Sequence, residues 1–135
     1  METNLALLKD FSAVQKYDSH IPSDRLRDCI QCRQVYVLRD ASGIVGVLRY
    51  SLFWQSIPFL DLIYIDEFYR GKGDGRQMME HWESAMAELG YKYVMLSTQE
   101  DETAKYFYEK LGYHRIGAFL PPEQAADEII FLKVL

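Results

Sequence analysis

Ile65-Asp66-Glu67-Phe68-Tyr69-Arg70-Gly71-Lys72-Gly73-Asp74-Gly75 is the stretch whose reading decides the fold. It follows an apolar run, Phe59 to Ile65, that reads as a strand, and it leads straight into an amphipathic helix. Between the two stand Gly71, Gly73 and Gly75 with the basic side chains Arg70 and Lys72. Glycine lets a backbone approach a ligand with no Cβ in the way. The first amides of a helix lack partners within it and lie at its positive end. Strand, glycine-rich turn and helix together predict an anion site, most naturally for phosphate.

Two common phosphate loops do not fit. The dinucleotide fingerprint G-x-G-x-x-G needs Gly or Ala where Arg76 or Met78 stands. The nucleoside-triphosphate loop needs Ser or Thr after its lysine, and Lys72 is followed by Gly73. A second segment, Asp101-Glu102-Thr103-Ala104-Lys105-Tyr106-Phe107-Tyr108-Glu109-Lys110-Leu111-Gly112-Tyr113, comes one helix and one strand later.

These two segments resemble the paired motifs of the GCN5-related N-acetyltransferases (GNAT). The first is similar to the R/Q-x-x-G-x-G/A loop, matched by Arg70, Gly73 and Gly75. The second is similar to N-x-x-A-x-x-F-Y-x-K-x-G-F/Y, matched from Ala104 to Tyr113. The resemblance is clearest from about Val35 to Tyr113. It implies one domain over residues 1–135 with a mixed α/β fold. In that fold the central sheet is mostly antiparallel, and parallel fourth and fifth strands splay to admit the coenzyme. The strands that would splay here are Phe59–Ile65 and Tyr93–Thr98.

The resemblance further implies an acetyl-CoA-dependent N-acetyltransferase with no metal. Arg70, Gly71, Lys72, Gly73, Asp74 and Gly75 would surround the pyrophosphate. The backbones of Ile63 and Ile65 would pair with the pantetheine arm, and the amide of Ile63 or its neighbour would face the thioester oxygen. Tyr108 would protonate the leaving thiolate, a role suited to a phenol of ordinary pKa near 10. The acceptor would be a primary amine of a small molecule or peptide, lying against the two N-terminal helices and the Ile44–Ile65 hairpin. That hairpin is crowded by Tyr50, Phe53, Trp54, Phe59 and Tyr64, and Asp18-Ser19-His20 lies between the two helices.

Three positions depart from the family pattern. Asp74 stands between the last two loop glycines, and is expected to point outward or cap the helix. Asp101 replaces the usual Asn, and can accept a hydrogen bond but not donate one. Phe59 occupies the place where some relatives carry a catalytic Glu. Asp61, two residues on and on the same strand face, is the candidate general base, with a water chain as the alternative. These departures keep a second reading open, that of a catalytically inactive coenzyme A sensor or interaction domain.

Composition agrees with an enzyme of this size. A chain of 135 residues with 49% apolar and 14% aromatic residues can bury a full core. A net charge of −5 argues against nucleic acid and mildly favours a cationic partner. No apolar run reaches membrane-spanning length, and Met1-Glu2-Thr3-Asn4 lacks a basic leader, so a cytoplasmic protein is expected. A homodimer is allowed for. Cys29 and Cys32 form a single C-x-x-C at the end of a helical stretch, which suits ordinary reduced thiols better than a redox or zinc site.

Periodicity predicts short helices over Asp10–Asp18 and from Ser23, the latter capped by Ser23. Strands follow over Gln34–Arg39, Ile44–Phe53 and Phe59–Ile65. The long helix, Gly75–Leu89, carries an apolar stripe of Met78, Met79, Trp82, Ala85, Met86 and Leu89, and stops at Gly90. Strand Tyr93–Thr98, helix Glu102–Leu111, and strands His114–Leu120 and Ile129–Leu135 complete the chain.

Acetyl-CoA is therefore expected to raise the melting temperature where ATP and NAD do not. At 100 times its dissociation constant a ligand adds about 2.7 kcal/mol. A larger shift with ATP than with coenzyme A would overturn the phosphate-loop reading.

Overall fold

A computed structural model describes all 135 residues. Seven strands alternate with four helices: β1 (Glu2–Leu5), α1 (Phe11–Tyr17), α2 (Ser23–Gln31), β2 (Val35–Asp40), β3 (Gly43–Phe53), β4 (Ile57–Ile65), α3 (Asp74–Glu88), β5 (Tyr93–Gln99), α4 (Ala104–Lys110), β6 (His114–Phe119) and β7 (Glu128–Val134). They form one sheet in the order β1-β2-β3-β4-β5-β7-β6. Every pairing is antiparallel except that of β4 with β5.

Two apolar clusters divide the faces. α3 and α4 cover one face, where Met78, Met79, Trp82, Met86 and Tyr108 pack on Leu38, Leu48, Leu60 and Leu96. α1 and α2 cover the N-terminal part of the other, with Val14, Leu26 and Ile30 on Val35, Val37 and Val47. The expected stripe of α3 is thus correct up to Met86, but Leu89 is exposed because the helix ends at Glu88. Glu83, on the buried side of α3, accepts hydrogen bonds from the Tyr113 hydroxyl and from Lys133 Nζ, both at 2.7 Å. One carboxylate so ties α3 to the end of α4 and to β7.

The β4–β5 pair positions the site. Its parallel register holds at two positions only, Phe59 with Met95 and Leu60 with Leu96, and then the strands part. On its other side β4 carries a bulge. Arg49 pairs with Leu62 and Tyr50 with Leu60, so Asp61 is an extra residue with no partner. The bulge reverses the alternation. Leu60, Ile63 and Ile65 share the α3 face, whereas Leu62 joins the α1–α2 cluster.

Three local expectations change. β1 is an edge strand that no apolar alternation announces, since Glu2-Thr3-Asn4 is polar; its pairing with β2 forms it. Ser23 is the first residue of α2 rather than its cap, and its Oγ accepts a hydrogen bond from Gln15 Nε2 at 2.7 Å. α4 starts at Ala104, not Glu102, because residues 101–103 form a turn.

The β3–β4 hairpin closes through a tight turn in which the Ser56 amide donates to the Phe53 carbonyl at 3.0 Å. Its central residues, Trp54 and Gln55, have φ of 54° and 57°. Such turns favour Asn-Gly, and a side chain held left-handed costs about 1–2 kcal/mol. Gln55→Gly is therefore expected to stabilise the fold by about 1 kcal/mol, read as a higher melting temperature; an unchanged or lower value would show the turn to be unstrained.

Candidate active site

The phosphate end is built by the turn between β4 and α3. The Asp66 carboxylate accepts from the Phe68 amide and starts a single 3-10 turn, Glu67–Tyr69. Gly71 and Gly73 follow with φ of 78° and 88°, and a Cβ at either would meet nothing within 4 Å. The glycines are thus needed for backbone shape, and the surface above them is open. The first intrahelical bond of α3 runs from the Gln77 amide to the Gly73 carbonyl, so the amides of Asp74, Gly75 and Arg76 precede the ladder. A cavity of about 450 Å³ lies over this turn, lined among others by Ile63, Ile65, Arg70, Gly73, Gly75 and Tyr108.

A second cavity, of about 580 Å³, continues into the gap between β4 and β5. Leu60, Asp61 and Ile63 line it from β4, Ser97 to Gln99 from β5, and Glu102, Ala104 and Tyr108 from the α4 side. Ile63, Ala104 and Tyr108 are common to both cavities, so they mark the place where the two compartments meet. Tyr108 is buried, with its ring edge-on to Phe107 and Tyr113. Burial, assisted by the Glu102 carboxylate, pushes its pKa up to about 12.

The floor of the second compartment is ionic. Arg49 donates through Nε to the fully buried Asp18 at 2.5 Å and through Nη1 to Asp61 at 3.3 Å. Asp61 is about one quarter exposed (26%), and burial raises its pKa against the pull of Ser51 and Arg49. His20 reaches the same compartment, with Nδ1 3.5 Å from Asp18.

The structure brings most of the expected residues together. Ile63, Ile65, Arg70, Gly71, Gly73, Gly75 and Tyr108 line the first cavity, and Asp61 lies in the second. Lys72, Asp74 and Asp101 line neither. Lys72 turns back over the Phe68 and Tyr69 rings, at 5.7 and 5.9 Å. Asp74 makes no capping hydrogen bond, and Gly73 holds the cap position. Asp101 sits in the exposed turn before α4, and Thr103 holds the helix cap position. Arg70 lines the cavity with its side chain held by neutral neighbours and no ion pair. Its Nε donates to the Ile65 carbonyl at 2.8 Å and its guanidinium lies 4.9 Å from the Tyr64 ring centre. Arg76 takes a place on the lining that sequence reasoning did not give it. The Arg49 link between Asp18 and Asp61 was also missed, because only folding brings three separate segments to one point.

The matrix of open glycine turn, free helix amides and parted strands suits a long phosphorylated thioester. A family model described as "Acetyltransferase (GNAT) domain" matches residues 31–115. The chain belongs to this family and is an acetyl-CoA-dependent N-acetyltransferase. Solved structures share the fold. The ribosomal-protein-S18-alanine N-acetyltransferase of Escherichia coli is 16% identical, with a TM-score of 0.81 over 98% of this chain and 92% of that one. Ard1 from Thermoplasma volcanium is 20% identical, with a TM-score of 0.84 over 99% and 97%. An acetyltransferase from Bacillus anthracis in complex with acetyl coenzyme A is 22% identical, with a TM-score of 0.68 over 75% and 61%. No curated protein matches the chain by sequence. No group of three or more His, Cys, Asp or Glu side chains converges as a metal site would require, and no helix is long and apolar enough to cross a membrane.

The ionic floor makes opposite demands on its two carboxylates. Asp18→Ala strands Arg49 in a buried site and is expected to cost about 3–5 kcal/mol in denaturant unfolding. Asp61 behaves differently. Its raised pKa means that the folded chain holds that proton more tightly than the unfolded chain. Stability is therefore lost as pH rises from the ordinary carboxylate range through the raised value. Asp61→Asn should remove that loss and be no less stable at neutral pH. Equal destabilisation by both substitutions would refute this division.

Proposed function

We propose that the chain acetylates a cationic primary amine by direct attack, with the amine entering over Asp61 and the coenzyme held along the glycine turn. The observation that carries the proposal is the position of Tyr108 at the junction of the two compartments. Gly71, Gly73, Gly75 and the first amides of α3 would hold the pyrophosphate. The parted edge of β4 at Ile63 and Ile65 would take the pantetheine arm. When bound, acetyl-CoA supplies the thioester carbonyl that the amine attacks.

Each residue then has a physical task. Asp61, Glu102 and Glu128 line the second compartment and favour an ammonium over an anion. Asp61 is the candidate to take the amine's proton, because burial makes it a better proton acceptor than an ordinary carboxylate. The β4 backbone beside Ile63, free of β5 beyond Leu60, supplies a donor to the carbonyl oxygen as charge develops. Tyr108 stays protonated across the working pH range and donates to the departing thiolate.

Other parts of the reading concern setting. The outer strand β6 leaves Ile116 and Phe119 exposed beside an unpaired edge, with Leu120 exposed just after it, which supports a homodimer. Free thiols at Cys29 and Cys32 support a cytoplasmic location.

Tyr108→Phe is expected to keep acetyl-CoA affinity and to slow single-turnover acetylation, by no more than the ~10²–10⁴-fold that positioned acids contribute. Because its pKa is pushed up to about 12, the wild-type rate should show no falling limb from this phenol at neutral or mildly basic pH. An unchanged single-turnover rate in the variant would demote Tyr108 to a core residue.

A further inference from the structure

Apart from the coenzyme and acceptor compartments, a cavity of about 720 Å³ opens at the other end of the α3 face. It shares no lining residue with either of them. Its floor is the sheet, where Leu5, Tyr36, Tyr50 and Leu52 lie on the side that α3 covers. The Tyr36 and Tyr50 rings are nearly parallel, 27° apart with centres at 6.5 Å, and pave an apolar surface. The volume falls within the range of small-molecule sites, about 300–1,000 Å³.

Two features mark it as more than a gap in the packing. Tyr36 is only 5% exposed, yet its hydroxyl makes no hydrogen bond within the chain and is open to the cavity. A buried phenol normally finds a partner. The second feature is Arg33. It stands in the turn after α2, where the Arg33 amide donates to the Ile30 carbonyl at 3.1 Å and the Gln34 amide to the Cys29 carbonyl at 2.9 Å. Such a turn favours glycine at its left-handed residue, but here Arg33 holds that place with φ of 62°. A left-handed side chain carries a steric cost that glycine avoids, and an outlier of this kind points to function. The Tyr50 hydroxyl donates to the Arg33 carbonyl at 3.5 Å and ties the turn to the floor.

Charge then selects the ligand. Glu88, at the last position of α3, lines the cavity opposite the Arg33 turn. Both side chains are exposed and neither makes an ion pair. Both also act on the Tyr36 hydroxyl: burial raises its pKa most, Arg33 pulls it down and Glu88 pushes it up. A cation, an anion and an unpartnered hydroxyl therefore converge over an apolar floor.

We infer that this cavity binds a free α-amino acid with an aromatic or large apolar side chain. Its carboxylate lies on Arg33 and the Tyr36 hydroxyl, its ammonium on Glu88, and its side chain on the Tyr36 and Tyr50 rings. A carboxylic acid without the amine leaves Glu88 unpaired, and an amine without the carboxylate leaves Arg33 so.

The test is calorimetric titration of the full chain with L-phenylalanine, hydrocinnamate and phenethylamine. Saturating coenzyme A is present throughout, so that no acetyl group can move. L-Phenylalanine should bind at least about tenfold more tightly than either analogue, since each analogue lacks one charge-assisted contact. Arg33→Gly suits the turn, so it should melt no lower than the wild type while weakening L-phenylalanine at least about tenfold. Tyr36→Phe keeps the ring and removes only the unpartnered hydroxyl, so it should fold normally and weaken binding by a smaller factor. Neither variant should change acetyl-CoA affinity. No binding of L-phenylalanine, or equal binding of all three compounds, would overturn the inference. Full affinity in Arg33→Gly would do the same, as would full affinity in Tyr36→Phe should the first variant fail to fold. Loss of L-phenylalanine binding in Asp61→Asn, with Arg33→Gly unaffected, would place the amino acid in the acceptor compartment and overturn it as well.

Discussion

The parting of β4 from β5 is the constraint on which the rest of the molecule depends. Two parallel strands normally continue their ladder, since an unpaired backbone amide away from water is costly. Here the ladder stops after Leu60 and Leu96, and the bulge at Asp61 turns β4 at that point. The edge that results is a row of backbone donors and acceptors that β5 does not pair. α4 crosses near the opening and delivers Tyr108 from one side, while the β3–β4 hairpin delivers Asp61 from the other. A fold with an unbroken sheet would have the same residues and no place for them to meet.

Charge is handled with similar economy. Arg49 is buried between two carboxylates, and neither pairing is a simple gain, because desolvating three charges offsets much of their attraction. Asp18 is fully enclosed and serves as the permanent partner. Asp61 keeps an opening to the cleft, so one guanidinium holds both an enclosed carboxylate and a partly exposed one. The arrangement fixes the carboxylate in place without silencing it.

Much of this was legible before the structure. The glycine turn, the α4 motif and every strand but β1 follow from period, turn chemistry and family resemblance. The glycine positions were readable because a backbone shape demands them. The directions of Lys72, Asp74 and Asp101 were not, since a charged side chain at a turn takes whichever neighbour packing offers; for Lys72 these are the rings of Phe68 and Tyr69. β1 was invisible because a short polar edge strand draws its stability from its neighbour rather than from its own residues. The Asp61 bulge and the Asp18–Arg49–Asp61 chain were invisible for a related reason. Both exist only in the pairing of segments far apart along the chain, and no local window contains them.

The strand order has a consequence for how such a molecule comes into being. β7, the latest strand along the chain, does not lie at the rim but between β5 and β6. During synthesis β5 and β6 both emerge from the ribosome before the strand that joins them. The nascent chain must hold those apolar edges apart from each other, and from neighbours, until β7 arrives. Lys133, which reaches back to Glu83 on α3, belongs to this same strand. Closure of the β5–β7–β6 end of the sheet is thereby deferred until β7 is made.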